Sequence, residues 1–265
     1  MLDQMILGRY VPMDSYVHRL DPRMKIVFVF MMMITIFAAN NVVTYGILLV
    51  MTLVILYLSN LKLTFLINGL KPILLLLIFT LLMHVFLTKG GTRLFSYGII
   101  SIDSNGIVQG LFITIRFVLI IFLTTIMTLT TSPIALTDAI ESLLGPFKKW
   151  KLPVHEFALM MSIALRFIPT LMDELTKVMR AQMSRGSDMT SGSFISRLQA
   201  ITPLLVPLFV SAFKRAEDLA VAMEVRGYIG DIGRTKYRKL DWQKRDTWSL
   251  VTVIPMTLAI LYFRT

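Results

Sequence analysis

Two short stretches share one frame: AQMSRG at residues 181–186 and AMEVRG at 222–227. Each sets Ala, three variable residues, Arg and Gly at the end of a long stretch with apolar residues at helical spacing. A glycine just past a helix supplies the left-handed residue that commonly ends it. An arginine in the last turn gains about 0.3–1 kcal/mol from the helix dipole. Ordinary capping accounts for either copy alone. Two copies in one segment, each on a helix of roughly 45 Å, point further. A guanidinium on a helix tip is a permanently charged fork that can hold a carboxylate through two hydrogen bonds. Two such tips suit two equivalent acidic sockets, of the kind that a pair of like subunits presents.

Other residues with chemical potential are more easily read as packing. No G-x-x-x-x-G-K-[ST] occurs, and KGGTR at 89–93 lacks that spacing, so the chain cannot cradle nucleotide phosphates by itself. VHEFALMM at 154–161 contains His-Glu without a second His at zinc-protease spacing. Asp173 and Glu174 are adjacent on a helix, so their side chains point apart and read as a solvated face. Met31, Met32 and Met33 are adaptable filler, and His84 is an interfacial or packed histidine. Arg116 falls inside an apolar stretch, where a cation is either functional, snorkelling or paired within the bundle. With 0 cysteines there is no disulfide framework and no thiolate metal or redox site.

The elements that must position these residues follow from composition. Of the 265 residues 55% are apolar and only 16% charged, and the mean hydropathy is +0.71, which predicts a membrane protein. The net charge of +11 then reflects membrane topology and anionic lipid, with no nucleic-acid partner. Charges scattered through residues 1–25 exclude a cleavable signal peptide. Five apolar stretches predict transmembrane helices over 26–40, 42–58, 70–88, 107–130 and 249–265. The segment 131–248 holds most of the basic residues. The excess of Lys and Arg there and before the first span predicts a cytosolic N-terminus, five crossings and a C-terminus outside.

Within 131–248 three helices are predicted, over 133–150, 153–185 and 194–227. Ser132-Pro133 reads as an N-cap with proline at the first helical position, and Pro169, Pro203 and Pro207 should bend the longer two. SRGSDMTSGS at 184–193 separates the second helix from the third, and KKWK at 148–151 reads as interfacial. The segment is too charged to lie buried in lipid and too apolar to be solvated all round, so it reads as an amphipathic docking platform. Met160, Met161, Leu204, Leu205, Leu208 and Phe209 are the candidates for a soft contact surface on it.

DSYVHRLDPRMKI at 14–26, SIALRFIPTLMDEL at 162–175 and the paired motifs Ser184-Arg185-Gly186 and Val225-Arg226-Gly227 together resemble the transmembrane T components of energy-coupling factor (ECF) transporters over nearly the full length. Members of that family often place Ala before the Arg, where this chain has Ser184 and Val225. The resemblance implies an all-α polytopic membrane protein with five transmembrane helices and a cytosolic domain of three amphipathic coupling helices. It implies a non-enzymatic subunit of a vitamin or metal-ion importer in a bacterial-type cytoplasmic membrane. Two ATP-binding-cassette ATPases would use ATP and Mg, and this chain would bind no cofactor of its own. A small membrane-embedded S component would bind the substrate. The resemblance assigns ATPase docking to the two Arg-Gly tips, one per ATPase. The alternative is the substrate-channel permease of a conventional ABC importer, which usually carries one short coupling helix instead of two long helices with matched ends.

Overall fold

The first helix begins before its apolar run does. The Asp21 carboxylate accepts the Arg23 amide (2.8 Å), and Pro22 fills the first helical position, where no donor is needed. Helix α1 therefore spans Pro22–Ala38 in the computed structural model, which describes residues 10–97, 100–150, 153–186, 194–230 and 240–264. Asn40-Asn41 separates it from α2 (Val42–Leu58). The third apolar stretch starts earlier than Leu70. Helix α3 (Leu63–Leu70) passes through a 3-10 turn at Lys71–Ile73 into α4 (Leu74–Leu87). Pro72 has no amide to donate, and the tightened turn absorbs it without ending the run.

A hairpin follows that the apolar pattern does not announce. Strand β1 (Arg93–Tyr97) pairs antiparallel with β2 (Ile100–Asp103), with an irregularity between Arg93 and Phe95. KGGTR belongs to its entry: Gly90 and Gly91 take φ of 133° and 81°, and the Gly90 amide donates to Asp103 Oδ2 (2.7 Å). Helix α5 (Ser104–Thr130) comes next, then α6 (Pro133–Leu144), started by Ser132, whose Oγ accepts from the Ala135 amide. A 3-10 turn over Gly145–Trp150 leads to α7 (Val154–Ser184) and α8 (Phe194–Val225). Both run through their internal prolines without a break. Helices α9 (Lys244–Val251) and α10 (Val253–Tyr262) end the chain. The break from Ser187 onward, and Asp3, Arg9, Lys151, Lys236, Arg238 and Lys239, lie outside the described residues.

The chain divides into two compact units, residues 1–139 with 240–265, and residues 140–239. In the first, α5 is the central helix and packs against α1, α2, α3 and α4. Its Leu119 and Leu123 meet Met32 and Ile36 of α1, Leu48 of α2 and Ile260 of α10, all almost fully buried. Helices α4 and α5 approach closely. A Cβ added to Gly106 would stand 2.9 Å from the carbonyl oxygens of both His84 and Thr88, and one on Gly110 would stand 3.1 Å from Leu81 Cδ1. Gly106 and Gly110 form a G-x-x-x-G, the small-residue pattern that lets two apolar helices pack without a hydrophobic driving force.

Among the described residues three helical runs are long and apolar enough to cross a bilayer: Leu63–Leu87, Ser104–Thr130 and Val154–Ser184. Mean hydropathy is 2.3 in the first two and 1.3 in the third. Leu75, Phe79 and Leu87 on α4 stand outward with no protein over them, a surface suited to lipid. The molecule is an all-α polytopic membrane protein. In the second unit α7 packs on α8, and the two enclose an apolar groove of ≈ 590 Å³ whose walls include Leu171, Met172 and Leu175 from α7 and Leu205, Leu208 and Phe209 from α8.

Candidate functional site

The two Arg-Gly endings are built alike. At the end of α8 the Gly227 amide donates to the Glu224 carbonyl (2.9 Å) and the Tyr228 amide to the Met223 carbonyl (3.0 Å). This double closure requires a left-handed residue, and Gly227 has φ 74°. At the end of α7 the Gly186 amide donates to the Met183 carbonyl (3.0 Å), with φ 85° at Gly186. Among the described residues nothing lies within 4 Å of a Cβ added to either glycine. Glycine is set there by backbone angle and not by space. The preceding arginine is the first residue past the last helical position on each rod, Ser184 on α7 and Val225 on α8.

Arg185 and Arg226 are both exposed, and so are their neighbours Ser184 and Val225. Among the described residues neither guanidinium has a hydrogen-bond or ion-pair partner. Each remains able to make its charge-assisted bonds with another molecule. Val225, 83% exposed, adds an apolar contact beside its arginine. Ser184 Oγ instead turns back to the Arg180 carbonyl (3.1 Å).

The proposed contact surface divides. Leu205 and Phe209 are 58% and 65% exposed and open onto the groove between α7 and α8, and Leu208 lines it half-buried. Met160 and Met161 are exposed on α7 outside the groove lining. Leu204 is 6% exposed, so its side chain faces inward and stands apart from the exposed candidates.

The weaker candidates find local tasks. Arg116 donates from Nη2 to the Ala39 carbonyl (3.1 Å) and stacks over Phe37, capping the C-terminus of α1. His84 Nδ1 lies 3.3 Å from Oγ1 of Thr88, the residue that caps the end of its own helix. His155 sits 3.2 Å from Glu141, and among the described residues no group of three His, Asp or Glu is placed to hold a metal. Asp173 is exposed, but Glu174 does not belong to a solvated face. It is half-buried and accepts from Arg215 Nη2 (3.1 Å), while the Arg215 guanidinium also stacks on Phe167. The sequence reading missed this pair because its members lie 41 residues apart on different helices.

The stretch DSYVHRLDPRMKI acts as a clasp. His18 Nε2 donates to the Val11 carbonyl (3.1 Å), and Ser15 Oγ bonds His18 Nδ1 (2.7 Å). Burial pushes the His18 pKa down from its ordinary value of 6.5, against the Val11 hydrogen bond, which pushes it up. Arg23 clamps Asp21 and reaches the Leu240 carbonyl (3.0 Å). Buried Asp246 accepts the Asp21 amide (2.9 Å) and the Gln243 amide (2.8 Å). Lys25 Nζ donates to the Thr130 carbonyl (2.9 Å), capping α5. One short segment thus ties the start of α1 to the start of α9 and the end of α5.

Comparison with known proteins bears on the chain as a whole. The family described as CbiQ, cobalt transport protein, matches residues 13–237. A Macrococcus caseolyticus protein named energy-coupling factor transporter transmembrane protein EcfT is 72% identical over 264 residues, covering all of both chains. Proteins of the same name from Bacillus subtilis and Staphylococcus aureus are each 54% identical over 264 residues, covering all of this chain and 100% and 98% of theirs.

Proposed function

Since this chain belongs to the CbiQ family, among the EcfT-type transmembrane components of energy-coupling factor transporters, we propose that it is the non-catalytic scaffold joining two ATPases to a substrate-binding membrane subunit. The observation that carries the proposal is the pair of matched tips. Two long helices end in the same capped geometry, and each presents an exposed arginine without a partner among the described residues. Each guanidinium enters an acidic socket, one on each of two like ATPase subunits, and the rigid helices carry the ATPase motion toward the membrane. The ATPases bind ATP and Mg.

The apolar groove between α7 and α8, with Leu205 and Phe209 at its opening, receives the S component, which selects the vitamin or metal ion. The membrane unit supports this division of labour. Its cavity of ≈ 470 Å³ is lined chiefly by apolar side chains such as Phe28, Met51, Ile55 and Leu123, with few polar groups to guide a hydrophilic solute. Helix α7 lies at the cytosolic interface despite its apolar first half. Asp173, Glu174, Lys177 and Arg180 crowd its second half, and several ionised groups in one span cost too much in hydrocarbon. The membrane then holds the helices before α6 and those after residue 240, with the N-terminus and residues 140–239 in the cytosol.

The experiment is reconstitution of the whole transporter in vesicles with the Arg185→Ala, Arg226→Ala double variant. Uptake should be lost while substrate binding by the S component persists. Wild-type uptake in that variant would refute docking through the tips.

A further inference from the structure

The ion pair between the two long helices sits at a special place. Glu174 and Arg215 are separated by 41 residues, and the same separation relates Arg185 to Arg226 and Gly186 to Gly227. Glu174 and Arg215 are therefore equivalent positions, each eleven residues before its own tip, from 174 to 185 and from 215 to 226. When two like elements are related by a local two-fold axis, equivalent positions touch each other only on that axis; elsewhere residue i meets a different residue j and j meets i. A second pair of equivalent positions, Phe167 and Leu208, lies in the same region. Phe167 of α7 stacks on Arg215 of α8. Leu208, which stands 41 residues after Phe167, lines the groove together with Leu175, the neighbour of Glu174.

We infer that Glu174 and Arg215 form the pivot of a pseudo-symmetric crossing of α7 and α8, and that this pair sets the spacing between the two arginine tips. Each tip stands on an arm of roughly 16 Å beyond the pivot. The pair is well suited to the task. Each side chain is about one-third exposed or less (31% and 27%), so its charge is partly shielded from solvent. The Phe167 ring, 5.6 Å from the guanidinium carbon, adds a second contact that restrains the Arg215 side chain. Apolar packing in the groove is non-directional by comparison and leaves the crossing angle less defined. A drift of 15–20° in that angle moves each tip by about 4–6 Å, beyond the reach of a hydrogen bond to a fixed socket. Glu174 and Arg215 are positioning residues and touch no partner themselves. Their effect on transport rests on the docking function proposed above. Their effect on tip spacing does not.

The chain's 0 cysteines allow a direct test. Spin labels at Ser184→Cys and Val225→Cys, both exposed, again 41 residues apart and each ten residues past the pivot, report the tip-to-tip distance by double electron–electron resonance on the full chain in nanodiscs. Glu174→Gln and Arg215→Gln should each broaden or shift the distribution by about 4 Å or more, by the same geometry. The exchange Glu174→Arg with Arg215→Glu should return a narrow distribution, which a merely destabilising pair of changes would not do. Unchanged distances in both single variants, or an exchange variant as broad as the singles, would overturn the pivot. Should the distances respond as expected while the Arg185→Ala, Arg226→Ala variant still transports, the docking function fails and the pivot stands.

Discussion

At the scale of single residues, the two guanidiniums and one imidazole give separable predictions. An arginine held in a desolvated acidic socket costs about 2–5 kcal/mol of docking when truncated, most of it from the stranded carboxylate. Arg185→Ala and Arg226→Ala should each weaken ATPase association by that amount in a pull-down titration from detergent. Arg→Lys should recover only part of it, because a point charge replaces the two-pronged fork. His18 titrates in the opposite sense to a paired histidine. Its pKa is held below 6.5 by burial, so the unfolded segment binds more protons than the folded one as pH falls below that value. The clasp keeps its full stability above about pH 6.5 and loses it as pH drops toward the folded pKa. Amide exchange over residues 10–20 should therefore quicken between pH 7.5 and pH 5.5. In His18→Gln the rates, corrected for intrinsic exchange, should no longer change with pH; an equal change there would show that the histidine is not the cause.

At the scale of elements, the decisive contacts are those where two helices approach closely. The Cβ position at Gly106 lies 2.9 Å from two backbone carbonyl oxygens, and backbone cannot yield as a flexible side chain can. Gly106→Leu should drive α4 from α5 and cost about 1–3 kcal/mol, in the range of overpacked cores. Thermal unfolding in detergent measures this, and a midpoint equal to wild type would refute the close packing. Gly110→Ala should be milder, since its nearest neighbour is the movable end of Leu81. The same distinction holds between sequence and structure. Capping was legible at Ser132-Pro133 and at both Arg-Gly ends, because a cap is a local bargain between a backbone and the next few side chains. The extension of the third apolar run back to Leu63 was not, because Lys71-Pro72 looks like a terminus when only neighbours in sequence are weighed. The G-x-x-x-G at Gly106 gave a readable signal that the sequence reading passed over. The hairpin at 93–103 did not, since its pairing joins residues that show no alternation strong enough to mark strands.

At the scale of the whole molecule, the proposed scaffold function calls for faces that can be damaged independently. A charge placed at Leu205 or Phe209 opens onto the apolar groove and is far along α8 from Arg226. Leu205→Glu or Phe209→Glu should abolish co-purification of the S component while both ATPases remain bound. Equal loss of both partners would mean that the groove and the tips do not serve different subunits. Leu204→Glu is a contrasting case: with its side chain buried, it should lower the stability of the whole chain before it affects one partner.

The amino-acid sequence by itself determined the class of the molecule. An all-α membrane protein follows from helix-period apolar runs and a charge content too low for a soluble surface, both of which are sums over local terms. It also determined which residues would end the two long helices, because a left-handed glycine and an arginine at the last turn need no distant partner. Only the tertiary structure decided which polar residues are spent inside the molecule. Arg116 caps α1, Lys25 caps α5, and Glu174 holds Arg215, each through a partner at least 41 residues away. The two tip arginines kept their charges unspent among the described residues, an outcome that depends on contacts no stretch of sequence contains.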